Sequence, residues 1–142
     1  MEQLPTTVKQ KQDFAKWKAL MERFASFPNV YMKLSGFFSE IGDQSPSSPM
    51  KISDIVDRVM PWAAHVLHCF KARRVMFGSD WPVCNVRGPG DELSWRHWHR
   101  VVTNIMARTE LDQKDKDRIW YGTAADAYKI DISKLNLESI VN

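Results

Sequence analysis

At 142 residues, 44% hydrophobic and 26% charged, the chain has the size and composition of one folded domain rather than of a disordered segment. Its formal charge of +3 is spread along the sequence without basic blocks, which gives no signal for nucleic acid. No run approaches the roughly 20 apolar residues that span a bilayer, and the polar stretch from Met1 to Gln12 lacks the apolar core of a signal peptide.

Residues 1–12 read as a frayed lead-in. A helix is predicted from about Lys11, because Phe14, Trp17, Leu20, Met21 and Phe24 recur at three- and four-residue steps. Pro28 and Asn29 end it. Val30 to Leu34 then reads as a short strand closed by Ser35-Gly36. Alternation places Tyr31, Lys33 and Ser35 on one face and Val30, Met32 and Leu34 on the other. A lysine in such a strand either carries its charge to an edge over an apolar stem or serves a site.

Glu40 to Met50, rich in Ser, Pro, Gly and Asp, is the one clear loop, of the kind used as a lid or left mobile. A second helix follows, with Ile52, Ile55, Val56, Val59, Ala63, Val66, Leu67 and Phe70 on its apolar face. Pro61 inside it is expected to kink or split it. Lys71, Arg73 and Arg74 are placed to complement the negative end of that helix.

Val75-Met76-Phe77 is a second apolar strand, narrowed by Gly78-Ser79 and stopped at Asp80-Trp81-Pro82. A carboxylate ending a hydrophobic strand is costly to bury unless its charge is used. Asp80 therefore reads either as a turn-former bonded to its own backbone or as a chemical group at a strand end, where parallel α/β folds place their sites. Beyond Pro82 come a loop through Gly90, a helix over 93–108 and a helix capped by Asp112 with Asp115 three residues on. Gly122-Thr123 is expected to punctuate before a last helical segment over 124–130. Residues 131–142 read as a tail.

Two short apolar strands separated by a helix predict an α/β fold with a parallel pair. Such a pair leaves faces and edges uncovered, so the chain reads as part of a larger α/β unit. Other motifs contribute little. His97 and His99 lie on a helical pattern that points them about 200° apart, and His65 and His68 share a helix face with no third ligand in suitable spacing. The Trp95 and Trp98 pattern reads as core. Cys69 and Cys84 fall in no metal or redox spacing, so free thiols in a reducing, cytoplasmic compartment are expected. No phosphate loop, nucleophile elbow or metalloprotease helix occurs.

Three blocks resemble the C-terminal part of the amidohydrolase superfamily, nearest its amidohydrolase-related group of sugar-lactone and dicarboxylate-lactone hydrolases. They are Trp17-x-x-Leu20-Met21 through Pro28-Asn29-Val30-Tyr31-Met32-Lys33-Leu34-Ser35-Gly36, then Arg74 to Val83, then Ile119 to Tyr128. The resemblance implies that residues 13–130 form a C-terminal portion of a (β/α)8 barrel, with Asp80 at the end of a late strand as the group that activates water. It implies Lys33 and Trp81 as pocket residues, a lactone-like small-molecule substrate and no nucleic-acid or membrane partner. Many relatives use a divalent metal held by histidines. Those histidines should lie upstream of Trp17, where this sequence has none, so no metal ligand is assigned and the cofactor is left unknown. The chain is therefore expected to be a fragment of a longer hydrolase or a truncated product, inactive by itself. The rival expectation is a non-enzymatic half-barrel remnant that self-associates through exposed strand edges.

Overall fold

A computed structural model describes residues 8–134. Helix α1 spans Val8–Ala25, beginning before the position its apolar repeat suggested. Strand β1 (Met32–Leu34) pairs in parallel with β2 (Val75–Phe77), Met32 opposite Val75, Lys33 opposite Met76 and Leu34 opposite Phe77. Between them lies α2 (Ile52–Phe70), and after them α3 (Asp91–Ala107), α4 (Gln113–Asp117) and α5 (Thr123–Tyr128). The α/β architecture with a parallel pair and flanking helices is as expected, although β1 is shorter than the apolar run that suggested it.

Alternation decides what the sheet buries. Leu34 and Val75 face the helices and join Ile55, Val59, Val101 and Ile105 in the core. Lys33 lies on the opposite face and is exposed. Burying side chains of this kind contributes about 1.5–3 kcal/mol each, so the α2–α3 layer over the sheet is the main source of stability.

Three local expectations change. α2 is not split at Pro61. The ring deprives only the Asp57 carbonyl of its helical donor, and Asp57 sits on the exposed side, where water can replace the bond. Arg74 does not serve the end of α2. Its guanidinium donates to the carbonyls of Ala25 and Phe27, both at 2.9 Å, and so closes the C-terminal end of α1. Finally, Gly122-Thr123 does not break the last helix. A π-turn over Arg118–Gly122 joins α4 to α5. Gly122 is buried against Arg118, whose Cδ would stand 3.2 Å from a β-carbon there. Thr123 donates its hydroxyl to the Ala72 carbonyl at 2.7 Å. These residues serve packing rather than termination. The Asp112 cap forms as expected, with the Asp115 amide donating to its carboxylate at 2.8 Å.

The 40–50 loop is tied down. The Gln44 amide donates to the Arg87 carbonyl at 3.1 Å, the Met50 amide to the Gln44 side-chain oxygen at 3.0 Å, and Arg58 to the Ile41 carbonyl at 2.9 Å. At the outer edge of β1 an open groove of about 930 Å³ runs between α1, α2 and this loop, with Phe14, Trp17 and Trp62 among its walls.

Candidate active site

The site grows out of the two strand ends. β2 stops at Phe77, and Gly78-Ser79 carry the chain to Asp80, whose φ of 58° lies in the left-handed region. Aspartate is among the few residues other than glycine that enter it readily. Backbone and side chain of Asp80 do different work. Its carbonyl accepts from the Cys84 amide at 2.8 Å and closes the turn. Its carboxylate is half-buried beside the end of β1, with one oxygen 3.4 Å from where a β-carbon on Gly36 would stand. Gly36 has a φ of 77°. A side chain there would be strained by the backbone and would stand in contact with the carboxylate.

Lys33 projects from the exposed face of β1. Gly78, just past β2, leaves room for Ser35: a β-carbon at Gly78 would lie 3.3 Å from the Ser35 Cβ and in ordinary contact, at 3.7 Å, with the Lys33 Cδ. The Lys33 ammonium sits 5.7 Å from the centroid of the Tyr128 ring. Bonding to the Tyr128 phenol first, then the phenol's charge and the Asp80 carboxylate, hold Lys33 above the ordinary lysine value. The Lys33 ammonium thus contacts Tyr128 rather than Asp80. Trp81 stands 66% exposed beyond the strand end, its amide donating to the Ser79 hydroxyl at 3.3 Å, and it follows Asp80 into a cis bond with Pro82. The groove at the edge of β1 takes in Lys33 and Ser35 but neither Asp80 nor Trp81.

The sequence reading overlooked three residues here. Gly36 looked like a strand terminator, Tyr128 belonged only to a closing helix, and Trp98 read as core. Trp98 is indeed 1% exposed, but its indole N–H donates to the Leu34 carbonyl at 3.1 Å and to the Gly78 carbonyl at 2.9 Å. Spacing along the chain carries no signal for a bond that ties two strands through a third element.

No group of three or more His, Cys, Asp or Glu side chains could hold a metal ion among the described residues. His65 contacts the Lys18 carbonyl and the Cys69 sulfur on α2, and His99 stacks on Trp120 at 4.6 Å. His97 is held below the usual histidine value by burial and then by Arg100. The described residues do not by themselves make a metal site.

A half-buried carboxylate just past the C-terminal end of a parallel strand lies where folds built on parallel strands carry their chemistry. The amidohydrolase family model matches residues 4–130, and the chain belongs to that family. It is the C-terminal portion of a TIM barrel. It is 32% identical over 127 residues to an L-rhamnono-gamma-lactonase of Scheffersomyces stipitis, covering 89% of this chain and 36% of that protein. To an L-fucono-1,5-lactonase of Burkholderia multivorans it is 30% identical over 118 residues, covering 82% of this chain and 36% of that one. Two crystal structures of an amidohydrolase from Burkholderia multivorans, one with bound zinc and one with bound HEPES, superpose with TM-scores of 0.69 and 0.71 at 26% identity. They cover 89% and 90% of this chain and 41% of theirs. The chain therefore spans little more than a third of the curated relatives it matches.

Proposed function

We propose that this chain supplies the water-activating strand end of a lactone hydrolase and turns over substrate only with further barrel strands beside β1. The observation that carries the reading is the half-buried Asp80 carboxylate just past the C-terminal end of β2, beside Gly36. In the proposed reaction Asp80 takes a proton from water as the oxygen attacks the lactone carbonyl. The tetrahedral adduct collapses with cleavage of the ring C–O bond, and Asp80 returns the proton to the leaving alkoxide. Lys33 is the cation at hand for the developing oxyanion or an anionic substituent, and Trp81 forms a wall. Lactone chemistry is supported by the names of the relatives. Cytoplasmic placement is supported by Cys69 and Cys84 being free thiols. No described helix is long and apolar enough to cross a membrane.

The test is hydrolysis of a sugar γ-lactone and a sugar δ-lactone. The 142-residue chain alone should give no turnover above background. Co-expression with the portion of the Burkholderia multivorans lactonase that it does not match should restore turnover, and Asp80→Asn should abolish it. Turnover by the isolated chain that Asp80→Asn removes would keep the role of Asp80 and overturn the need for further strands. Turnover indifferent to Asp80→Asn would overturn that role.

A second reading, self-association without catalysis, is favoured by one observation. Leu20 and Phe24 on α1 and Phe27 just after it are 51%, 46% and 51% exposed. Light scattering after size exclusion should then show a species larger than the monomer. A monodisperse monomer would remove this reading.

A further inference from the structure

We infer that Trp98 is a positioning residue for the Asp80 carboxylate, acting through one indole N–H shared between the Leu34 and Gly78 carbonyls. The inference rests on the reading of Asp80 as the water-activating group. Parallel pairing ends with the Gly78 amide donating to the Leu34 carbonyl at 3.3 Å. Beyond that bond no backbone hydrogen bond joins the two segments that lead to Gly36 and Asp80 among the described residues. Trp98, from the middle of α3, supplies the missing link with bonds of 3.1 Å to Leu34 and 2.9 Å to Gly78. Two residues further along each chain stand Gly36 and Asp80, the pair whose close approach places the carboxylate.

The rest of the indole braces the same turn. Phe37 stacks on it at 5.6 Å and Phe38 meets it edge-on at 5.8 Å, so the segment after Gly36 is held by the ring while the segment before it is held by the N–H. Asp80 itself turns through the left-handed conformation that aspartate tolerates. Phenylalanine here would keep a ring against Phe37 and Phe38 but is smaller than the indole, so part of its effect is a packing loss. What a packing role leaves unexplained is the second acceptor, since a buried indole N–H needs only one.

Trp98→Phe keeps a ring and removes the donor. Amide exchange at Gly78, taken relative to that at Val59 in α2, should rise about ten-fold, the scale of one lost hydrogen bond in a local opening. The Asp80 carboxyl carbon resonance should move with it. Val101→Ala, on the same helix but at a side chain with no donor, is the control: it should speed both amides alike and leave the Asp80 resonance in place. Equal movement of that resonance in the two variants, or none in Trp98→Phe, would overturn the inference. Should Trp98→Phe not fold, the wild-type protein decides. Its Trp98 indole proton should exchange as slowly as the Val101 amide, and fast exchange would sink the proposal. These readouts need no substrate, so an absence of lactone turnover would count against the hydrolase reading and not against Trp98.

Discussion

The two edges of one small sheet are built very differently. Beyond β2 the chain is sealed: the π-turn and α5 lie against the strand, Phe77 packs on Trp120 at 4.8 Å, and Thr123 bonds the backbone just before the strand. Beyond β1 an open groove remains, and α1 leans on α2 through a few aromatic contacts such as Phe14 on Trp62 at 5.0 Å. The residues proposed for catalysis stand at the strand ends between these regions. A carboxylate can therefore be well placed by the closed side while the walls that would enclose a substrate are missing from the open one.

Stability should divide along the same line. On the closed side, Ile105→Ala should cost about 2–5 kcal/mol, because a fully buried side chain leaves a cavity that neighbours fill only partly. Urea unfolding checks it, and a cost near zero would mean that α3 is not the core layer described. Removing the Asp112 cap as Asp112→Ala should cost about 1 kcal/mol by the same measurement. On the open side, Phe24→Ser with Phe27→Ser should change stability by no more than about 0.5 kcal/mol for each exposed ring. The pair should also weaken any self-association seen by light scattering. A large loss of stability would show that α1 is braced as firmly as α3.

Two titrations sharpen the contrast further. His97 is held low by burial, so its neutral form is favoured in the folded state. The sign follows from linkage: its contribution is intact above the unfolded histidine value and is lost as pH falls through the lower folded one. Stability should decline on acidification through that window, and His97→Gln should flatten the decline. Lys33 is shifted the other way. Its contribution is intact below the unfolded lysine value and is lost only as pH rises through the higher folded one. Tyr128→Phe should bring the Lys33 titration, followed by its side-chain nitrogen resonance, back toward the ordinary value. An unchanged titration would remove Tyr128 from the site.

Much of this was legible along the chain because it depends on local rules. The period-two pattern in Val30 to Leu34 separates Lys33 from the core, and the apolar run before Asp80 marks a strand end. The face of α2 and the Asp112 cap follow from helical spacing. Errors arose where a local rule met a tertiary partner. Pro61 was tolerated because the carbonyl it deprives is on the wet side. Gly122 was needed for the room its missing side chain leaves to Arg118, and Arg74 found carbonyls on α1 rather than α2.

By itself the sequence determined that Asp80 ends a strand and that its blocks resemble an amidohydrolase, since both are properties of contiguous residues. Only the tertiary structure decided what the carboxylate stands beside. Gly36, Lys33 and Tyr128 come from distant positions, and the Trp98 indole reaches across 64 residues to Leu34 and 20 to Gly78. Periodicity reports which face of an element is buried. It does not report which remote group that face will meet, because such meetings are settled by how the layers pack.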